Sequence, residues 1–312
     1  MSDVLVTGGA GFIGSNIVDL LLREGYSVAV VDDLSTGRKE NLNKRGKFYK
    51  ADICNSNLKK IFKEEKPEFV IHQAAQVDVR KSISKPLFDS RINILGSLNL
   101  LECCRDFHVR RIVYASSGGA IYGEPEYLPA DEKHPVNPVS PYGVSKHTVE
   151  HYLYLYWKNY DMDYVSLRYS NVYGPRQDPF GEAGVVAIFI GKLIRGKKPT
   201  IFGDGNQTRD FVFVEDVADA NLISLEKDTE NKIFNIGSGT EIAVNEIYTK
   251  LKEITNSDIS AVYGEAIKGE VRNICLDVTL AKKELGWKAR TSLDEGLRKT
   301  VEWFIKVGFS GI

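Results

Sequence analysis

The 312-residue chain lacks several things, and each absence narrows what it does. No apolar run approaches the roughly twenty residues that cross a bilayer, so no membrane span is predicted. The opening, MSDVLVTGG, has no basic segment with an apolar one behind it; no signal peptide is predicted, and a cytoplasmic location is expected. Cysteine is sparse: Cys54, Cys103, Cys104 and Cys275 make no CxxC and no framework spacing, and read as reduced, mostly buried thiols. The five histidines make no HExxH and no paired ligand set, so no metal is expected. Neither sign of charge dominates. Lys and Arg number 41 against 42 Asp and Glu, a formal net charge of -1, which favours neither nucleic acid nor an anionic membrane as partner. No internal repeat or low-complexity tract is evident. What remains, 43% hydrophobic and 27% charged, is an ordinary globular composition in a chain long enough for two lobes.

The first half alternates short β-branched runs with amphipathic segments. DVLVTG, SVAVVDD, KFYKADI, PEFVIHQAA and RRIVYASS read as strands. Between them, FIGSNIVDLLLREGY reads as a helix stopped by Gly25, NSNLKKIFKEEK as one capped by Asn55 or Ser56, and DSRINILGSLNLLECCRDFH as a third. This alternation specifies a parallel sheet covered on both faces, and right-handed crossovers make it an α/β, doubly wound, Rossmann-type sheet. SPYGVSKHTVEHYLYLYWKNYD is a long helix and DYVSLRYSNVYG a strand; from about residue 169 the alternation breaks down. A second, smaller α/β substrate-binding lobe is expected. The predicted division is 1–168 for a dinucleotide-binding domain, with segments near 211–237 returning to it, and 169–312 mainly for the other lobe. The basic run 37–47 reads as a solvated loop.

VTGGAGFIG sets Gly8, Gly11 and Gly14 at three-residue spacing between the first strand and the first helix. In that context the first glycine allows a tight turn, the second a close approach of backbone to a pyrophosphate, and the third close packing of helix on strand. The helix N-terminus, at Phe12 and Ile13, offers free N–H groups to phosphate. Asp32 ends the second strand, where a carboxylate accepts from both ribose hydroxyls and repels a 2′-phosphate. NAD is therefore expected rather than NADP, although Arg38 stands near enough to serve a phosphate. Asp33 is the weaker candidate. SPYGVSK places Tyr142 one helical turn before Lys146. Alone, the pair fits two amphipathic side chains sharing a surface. With a nicotinamide in the same lobe, Lys146 would bond its ribose, and the two cations would lower the phenol so that Tyr142 acts as a base.

TGGAGFIG, VVDDLSTG, ADI, HQAAQ, SSGGAIYGE, SPYGVSKH, LRYSNVYGPRQ, IFGDGNQTRDFV and FNIGSG, in that order, resemble the extended short-chain dehydrogenase/reductases, and within them the UDP-glucose (UDP-galactose) 4-epimerases. The resemblance implies an NAD-dependent isomerase that inverts C4 of a UDP-hexose through a 4-ketohexose, working as a homodimer joined by helices around 90–105 and 142–160. For the cofactor it implies Leu34, Ser35, Thr36 and Gly37 after the acids, Asp52 and Ile53 at the adenine, and Ala74, Ala75 and Gln76 along the pyrophosphate and nicotinamide. Asn93 supports that site and Tyr169 completes it. Ser117 takes the place of the family's active-site hydroxyl, beside Gly118. Gly118, Gly119 and Ala120 supply no acid, against the dehydratases and decarboxylases of the same group. On the substrate side the resemblance implies Asn171 and Arg209 at the diphosphate, Val185 and Val186 by backbone at the uridine, and Phe202 at the uracil. Glu270 falls on the ribose, and Lys268 or Arg272 replaces an arginine because Ile267 stands in its position. Ile274 falls near the position that gates the hexose 2-substituent, which leaves room for an N-acetyl group. Two alternatives stay open: another nucleotide sugar (a UDP-N-acetylhexosamine, UDP-uronate or dTDP-sugar), and a silent NAD-binding protein.

Overall fold

The computed structural model describes residues 1–180, 184–266 and 271–308. Seven parallel strands form the main sheet: β1 (Val4–Thr7), β2 (Val28–Asp32), β3 (Lys47–Lys50), β4 (Phe69–His72), β5 (Arg111–Ser117), β6 (Asp163–Tyr169) and, after an excursion, β10 (Ile233–Ile236). The spatial order is β10-β6-β5-β4-β1-β2-β3. The chain runs outward from β1 to β3, returns beside β1 as β4, and then runs outward on the other side. The order therefore reverses between β1 and β4, and the crevice beyond their carboxyl ends is where such sheets bind ligands.

Period-two patterning explains why both faces are covered. Val4, Val6, Val28, Val30, Phe69 and Ile71 pack on one side against α1 (Phe12–Arg23) and the later α9 (Val214–Glu226). Leu5, Ala29, Val31 and Val70 pack on the other against α2 (Leu58–Glu65), α5 (Ser97–Asp106) and α7 (Pro141–Tyr160). All four cysteines are free thiols, three of them buried. Among the described residues no helix is long and apolar enough to cross a membrane.

Helix ends follow local chemistry, with two departures from expectation. α1 ends at Arg23, and Gly25 follows at φ +96°. Ser140 caps α7 by accepting from the Gly143 N–H at 3.2 Å, with Pro141 in the first turn. At α2, however, neither expected residue caps. The Asn55 side chain bonds the Asn57 N–H at 3.0 Å instead, and the helix starts at Leu58. The helix expected from residue 89 starts earlier, after α3 (Val79–Ser84), as α4 (Pro86–Ser90), and widens into a π turn over Arg91–Gly96 before α5. There Gly96 lies so close that a Cβ would sit 2.8 Å from Ile53 Cδ1.

The remaining chain builds a smaller mixed lobe. After the short α6 (Gly118–Ile121) and β7 (Asn171–Tyr173) come α8 (Val185–Ile194), β8 (Thr200–Phe202), β9 (Thr208–Phe213), β11 (Glu241–Ala243), α10 (Val244–Ile254), β12 (Val262–Gly264) and α11 (Leu293–Val307). β9 pairs with β7 and β11, and β8 with β12. Their shared core includes Phe189, Ile190, Phe211, Phe213, Leu251 and Phe304.

Candidate active site

The glycine turn after β1 is built by close approach. Gly8 has φ +69°, and a Cβ there would fall 2.6 Å from the Ala74 amide nitrogen, so the turn rests on the loop after β4. A Cβ on Gly14 would lie 2.2 Å from the Gly8 carbonyl oxygen, so the third glycine packs α1 on the turn itself. Gly11 precedes the helix and makes no side-chain cap, and the first turn holds no acid. The amides of Phe12, Ile13 and Gly14 thus keep their capacity for an anion. The doublet also hides a fourth requirement: a Cβ on Gly9 would meet Val30 Cγ1 at 2.7 Å.

Asp32 ends β2 beside this turn, 7% exposed. Its Oδ2 accepts from the Ala10 N–H at 3.0 Å and its Oδ1 from the Leu34 N–H at 2.8 Å. Burial pushes its pKa up, and the two amides oppose that. Lone pairs remain for a ribose diol. Gly37 packs on the carboxylate; its Cβ would be 2.6 Å from Oδ1. Asp33 is exposed and bonds the Ser35 N–H, with Thr36 exposed beside it. Arg38 pairs with Asp178 at 3.3 Å, which engages the group a 2′-phosphate would need. Across the crevice, Asp52 Oδ1 accepts from the Cys54 N–H and Ile53 is buried. Ala74 donates its N–H to Thr7 Oγ1 at 3.2 Å, with Ala75 half-buried beside it. Gln76 and Asn93 exchange two bonds: the Gln76 N–H to Asn93 Oδ1 at 2.8 Å, and Asn93 Nδ2 to the Gln76 carbonyl at 2.9 Å. The Gln76 side chain is bonded to Asp78 and Asp89, so its backbone and side chain are both held in place. Tyr169 accepts at its hydroxyl from Gln73 Nε2 at 3.0 Å and Asn221 Nδ2 at 2.7 Å. Gln73 and Asn221 were not singled out from the sequence; a lone Asn on the buried face of α9 was the available signal. These glycine cradles, open amides and carboxylate fit an NAD.

The expected catalytic residues come together at the start of α7. Ser117, at the end of β5, lies near enough to Tyr142 for its hydroxyl to favour the ionised phenol. Lys146 donates to the Ala115 carbonyl at 2.7 Å and stands 5.8 Å from the centroid of the Tyr142 ring. Burial dominates the electrostatics of the protein's own groups. It pushes the Tyr142 phenol up to about 12, the Ser117 hydroxyl opposes this, and the Asp89 charge adds to it. Burial also pushes Lys146 down to about 8, against Asp89 and Glu150. Withdrawal from water is thus the largest influence on the phenol, and the Lys146 ammonium is bonded to the Ala115 carbonyl. One turn further, Glu150 takes Arg168 Nε at 3.0 Å and Nη2 at 2.7 Å, a buried fork joining α7 to β6. Burial would raise the Glu150 carboxyl, but hydrogen bonds from His147 and Arg168 and the guanidinium charge hold it below the usual range.

The substrate-side residues are more dispersed. Gly118 is buried under Leu276, whose Cδ1 would lie 2.5 Å from an added Cβ, whereas Gly119 looks toward Asn171, with Oδ1 at 3.9 Å. The neighbouring glycine is thus the one that opens toward Asn171. Val186 is buried in the smaller lobe, and Val185 opens α8 behind an uncapped Gly184. Phe202 is 41% exposed at the end of β8. Arg209 lies on a different small sheet, donating to the Thr208 carbonyl at 2.8 Å and the Arg272 carbonyl at 3.0 Å. Ile274 is 3% exposed, packed with Ile121, Tyr122, Ala130 and Leu276 rather than presented to a sugar. Ile267, Lys268 and Glu270 lie outside the described residues.

A doubly wound sheet with a glycine turn, an acid ending the second strand and a Tyr-x-x-x-Lys helix beside them defines a nicotinamide-dependent enzyme of the short-chain dehydrogenase/reductase type. The chain belongs to the NAD dependent epimerase/dehydratase family, which it matches over residues 4–237. It is 44% identical to the UDP-glucose 4-epimerase of Mycolicibacterium smegmatis over 305 residues, 96% of this chain and 97% of that protein. In structure it resembles the UDP-glucose 4-epimerase of Thermotoga maritima solved with UDP-glucose, at a TM-score of 0.95 and 49% identity, covering 97% of this chain and 99% of that one. It also resembles the UDP-glucose 4-epimerase of Thermus thermophilus in complex with NAD, at a TM-score of 0.93 and 42% identity, covering 98% of this chain and 99% of that one.

Proposed function

We propose that this chain is an NAD-dependent epimerase that interconverts UDP-galactose and UDP-glucose by inverting C4 of the hexose. One observation carries the reading: Lys146 stands 5.8 Å from the centroid of the Tyr142 ring, in the same lobe as the close-packed glycine turn and the Asp32 carboxylate, with the Ser117 hydroxyl near enough to the phenol to favour its ionised form. Full-length likeness to enzymes of that activity supports it. NAD held in this crevice would supply a reversible hydride acceptor for C4 and, in its oxidised form, a positive charge that favours phenolate. The chain's own residues do the rest. Tyr142 receives the proton of the 4-hydroxyl and later gives it back. Ser117 holds the same oxygen and, standing near the phenol, favours its ionised form. Asp32 holds the adenosine ribose through the lone pairs that Ala10 and Leu34 leave open. The backbone of 12–14 takes the pyrophosphate, the loop 74–76 lies along the nicotinamide side, and Asn93 fixes that loop. Asn171 and Arg209 hold the sugar nucleotide's diphosphate, with Phe202 at the base.

In this reading residues 1–168, with segments near 211–237, bind the cofactor and 169–312 mainly bind the sugar nucleotide. The protein works as a homodimer in the cytoplasm. Leu95 at 59% exposure and Tyr154 at 51%, on the two implicated helices, support a second copy there, and four free thiols suit a reducing compartment. The test of function is incubation with UDP-galactose and no added oxidant. UDP-glucose should appear, and Tyr142→Phe should lower kcat by on the order of 10²-fold or more. Wild-type turnover by Tyr142→Phe would remove that residue from the mechanism, and a need for stoichiometric external NAD would refute epimerisation.

A further inference from the structure

A chain of buried polar side chains runs beneath the site, and its hydrogens can be assigned from its partners. Ser97 gives its one hydroxyl hydrogen to the Asn93 carbonyl at 2.6 Å, so at 2.9 Å from His72 Nε2 it accepts. His72 therefore carries its proton on Nε2. Burial first, and the Lys146 charge second, push its pKa down to about 3, which keeps the ring neutral and Nδ1 bare. Nδ1 accepts from Thr7 Oγ1 at 2.8 Å, and Thr7 in turn accepts from the Ala74 N–H. One end of the chain is thus tied to β1 and the loop after β4. The other end passes through Asn93, whose Nδ2 donates to Asp89 Oδ1 at 3.0 Å.

Asp89 closes the chain. Its side chain is fully buried, and no salt bridge reaches it among the described residues. Oδ1 also accepts from Gln76 Nε2 at 3.0 Å, and Oδ2 accepts from Ser145 Oγ at 2.6 Å. Burying an acid beside amides and a hydroxyl, with no cation in contact, is costly for a fold that needs only packing there. Its position gives the reason. Ser145 follows Tyr142 by three residues and Lys146 follows it by four, so both neighbour Tyr142 on α7, one on either side of it. A short bond from Ser145 to a fixed acceptor sets the rotation of that helix about its axis, and the same acceptor holds the Gln76 loop.

We propose that Asp89 is a positioning residue that sets Tyr142 and Lys146 in register with the loop along the cofactor, acting through Ser145 on one side and through Gln76 and Asn93 on the other. This rests on the reading of Tyr142 and Lys146 as the catalytic pair. The Asp89 charge reaches both: it favours the charged form of Lys146 and opposes ionisation of Tyr142, so its service to the pair is placement rather than activation of the phenol.

The test compares Asp89→Ala, Asp89→Asn and Ser145→Ala as holoenzymes, reading kcat and KM for UDP-galactose, bound NAD and the thermal midpoint. Asp89→Ala is expected to lose kcat by on the order of 10-fold or more, as roughly 1 Å of misplacement does, with KM nearly unchanged. Asp89→Asn, which keeps the shape and the acceptor toward Gln76 and Asn93, should recover most of that kcat. Ser145→Ala should lose part of it with NAD fully bound. Wild-type kcat in Asp89→Ala overturns the proposal, and so does an Asp89→Asn protein as slow as Asp89→Ala. If Asp89→Ala does not fold, Ser145→Ala decides: unchanged kcat overturns the proposal and a lowered kcat with bound NAD supports it. Tyr142→Phe separates the two readings. If it is inactive while Ser145→Ala is fully active, only the positioning role falls; if it turns over normally, the catalytic pair itself falls.

Discussion

The sharpest prediction concerns one methyl group. In Gly14→Ala the new carbon would lie 2.2 Å from the Gly8 carbonyl oxygen, 2.8 Å from its carbon and 3.0 Å from Gly9 Cα, where ordinary contact starts at 3.4 Å. All three atoms are backbone, so no side chain can step aside. Gly8 cannot retreat either: its N–H is bonded to the Val31 carbonyl at 2.8 Å, and its other side rests on Ala74. The N-terminus of α1 must therefore move outward by about 1 Å against a core that includes Ile17, Val18 and Leu21. Such overpacking costs about 1–3 kcal/mol of stability. The cost to binding is larger, because the displaced amides are those offered to the pyrophosphate. Losing one or two charge-assisted hydrogen bonds, each about 1.5–3 kcal/mol, weakens NAD by on the order of 10²-fold or more. The assay is NAD content after gel filtration, with the dissociation constant by calorimetry and the thermal midpoint alongside. Gly25→Ala is the control. Gly25 has φ +96° and no atom within 4 Å of its Cβ position, so only backbone strain of about 1–2 kcal/mol is expected, with NAD fully retained. Gly14→Ala binding NAD within about threefold of wild type would refute the reasoning, as would equal loss in the control.

Other expectations follow from the site's electrostatics. Burial holds Lys146 down to about 8, so kcat should fall as pH rises through that value and the lysine loses its charge; a profile flat to roughly pH 10 would contradict this. Arg168→Met leaves Glu150 buried without its partner and should cost about 3–5 kcal/mol in urea unfolding; a change below about 1 kcal/mol would show the fork to be dispensable. The Glu150 carboxyl is held below its ordinary 4.5, so its contribution is present above that value and lost as the pH falls below it. The stability curve of wild type should therefore fall more steeply on acidification than that of an Arg168→Met, Glu150→Met double variant.

Most of the fold was legible because period-two and helical patterns report burial, and burial on both faces of a sheet admits few topologies. The glycine turn and Asp32 were legible for a related reason: a strand that ends in glycine and opens a helix has few physical uses. The π turn at Arg91–Gly96 was not legible, since adding one residue to a turn leaves the apolar pattern almost intact. Nor was the partner of Lys146. Helical spacing puts Lys146 on the right face, but which acceptor the ammonium chooses depends on the Ala115 carbonyl, thirty-one residues away in the chain. The same limit applies to the buried polar chain. Asp89, His72 and Asn93 are each buried polar groups, and sequence alone lets each pass as a structural exception. A buried polar group must find partners, however, and those partners are set by tertiary contact rather than by spacing. Where several such exceptions bond one another and end beside the expected catalytic helix, the pattern is one of placement, because a core that needed only stability would be served better by apolar residues at the same positions.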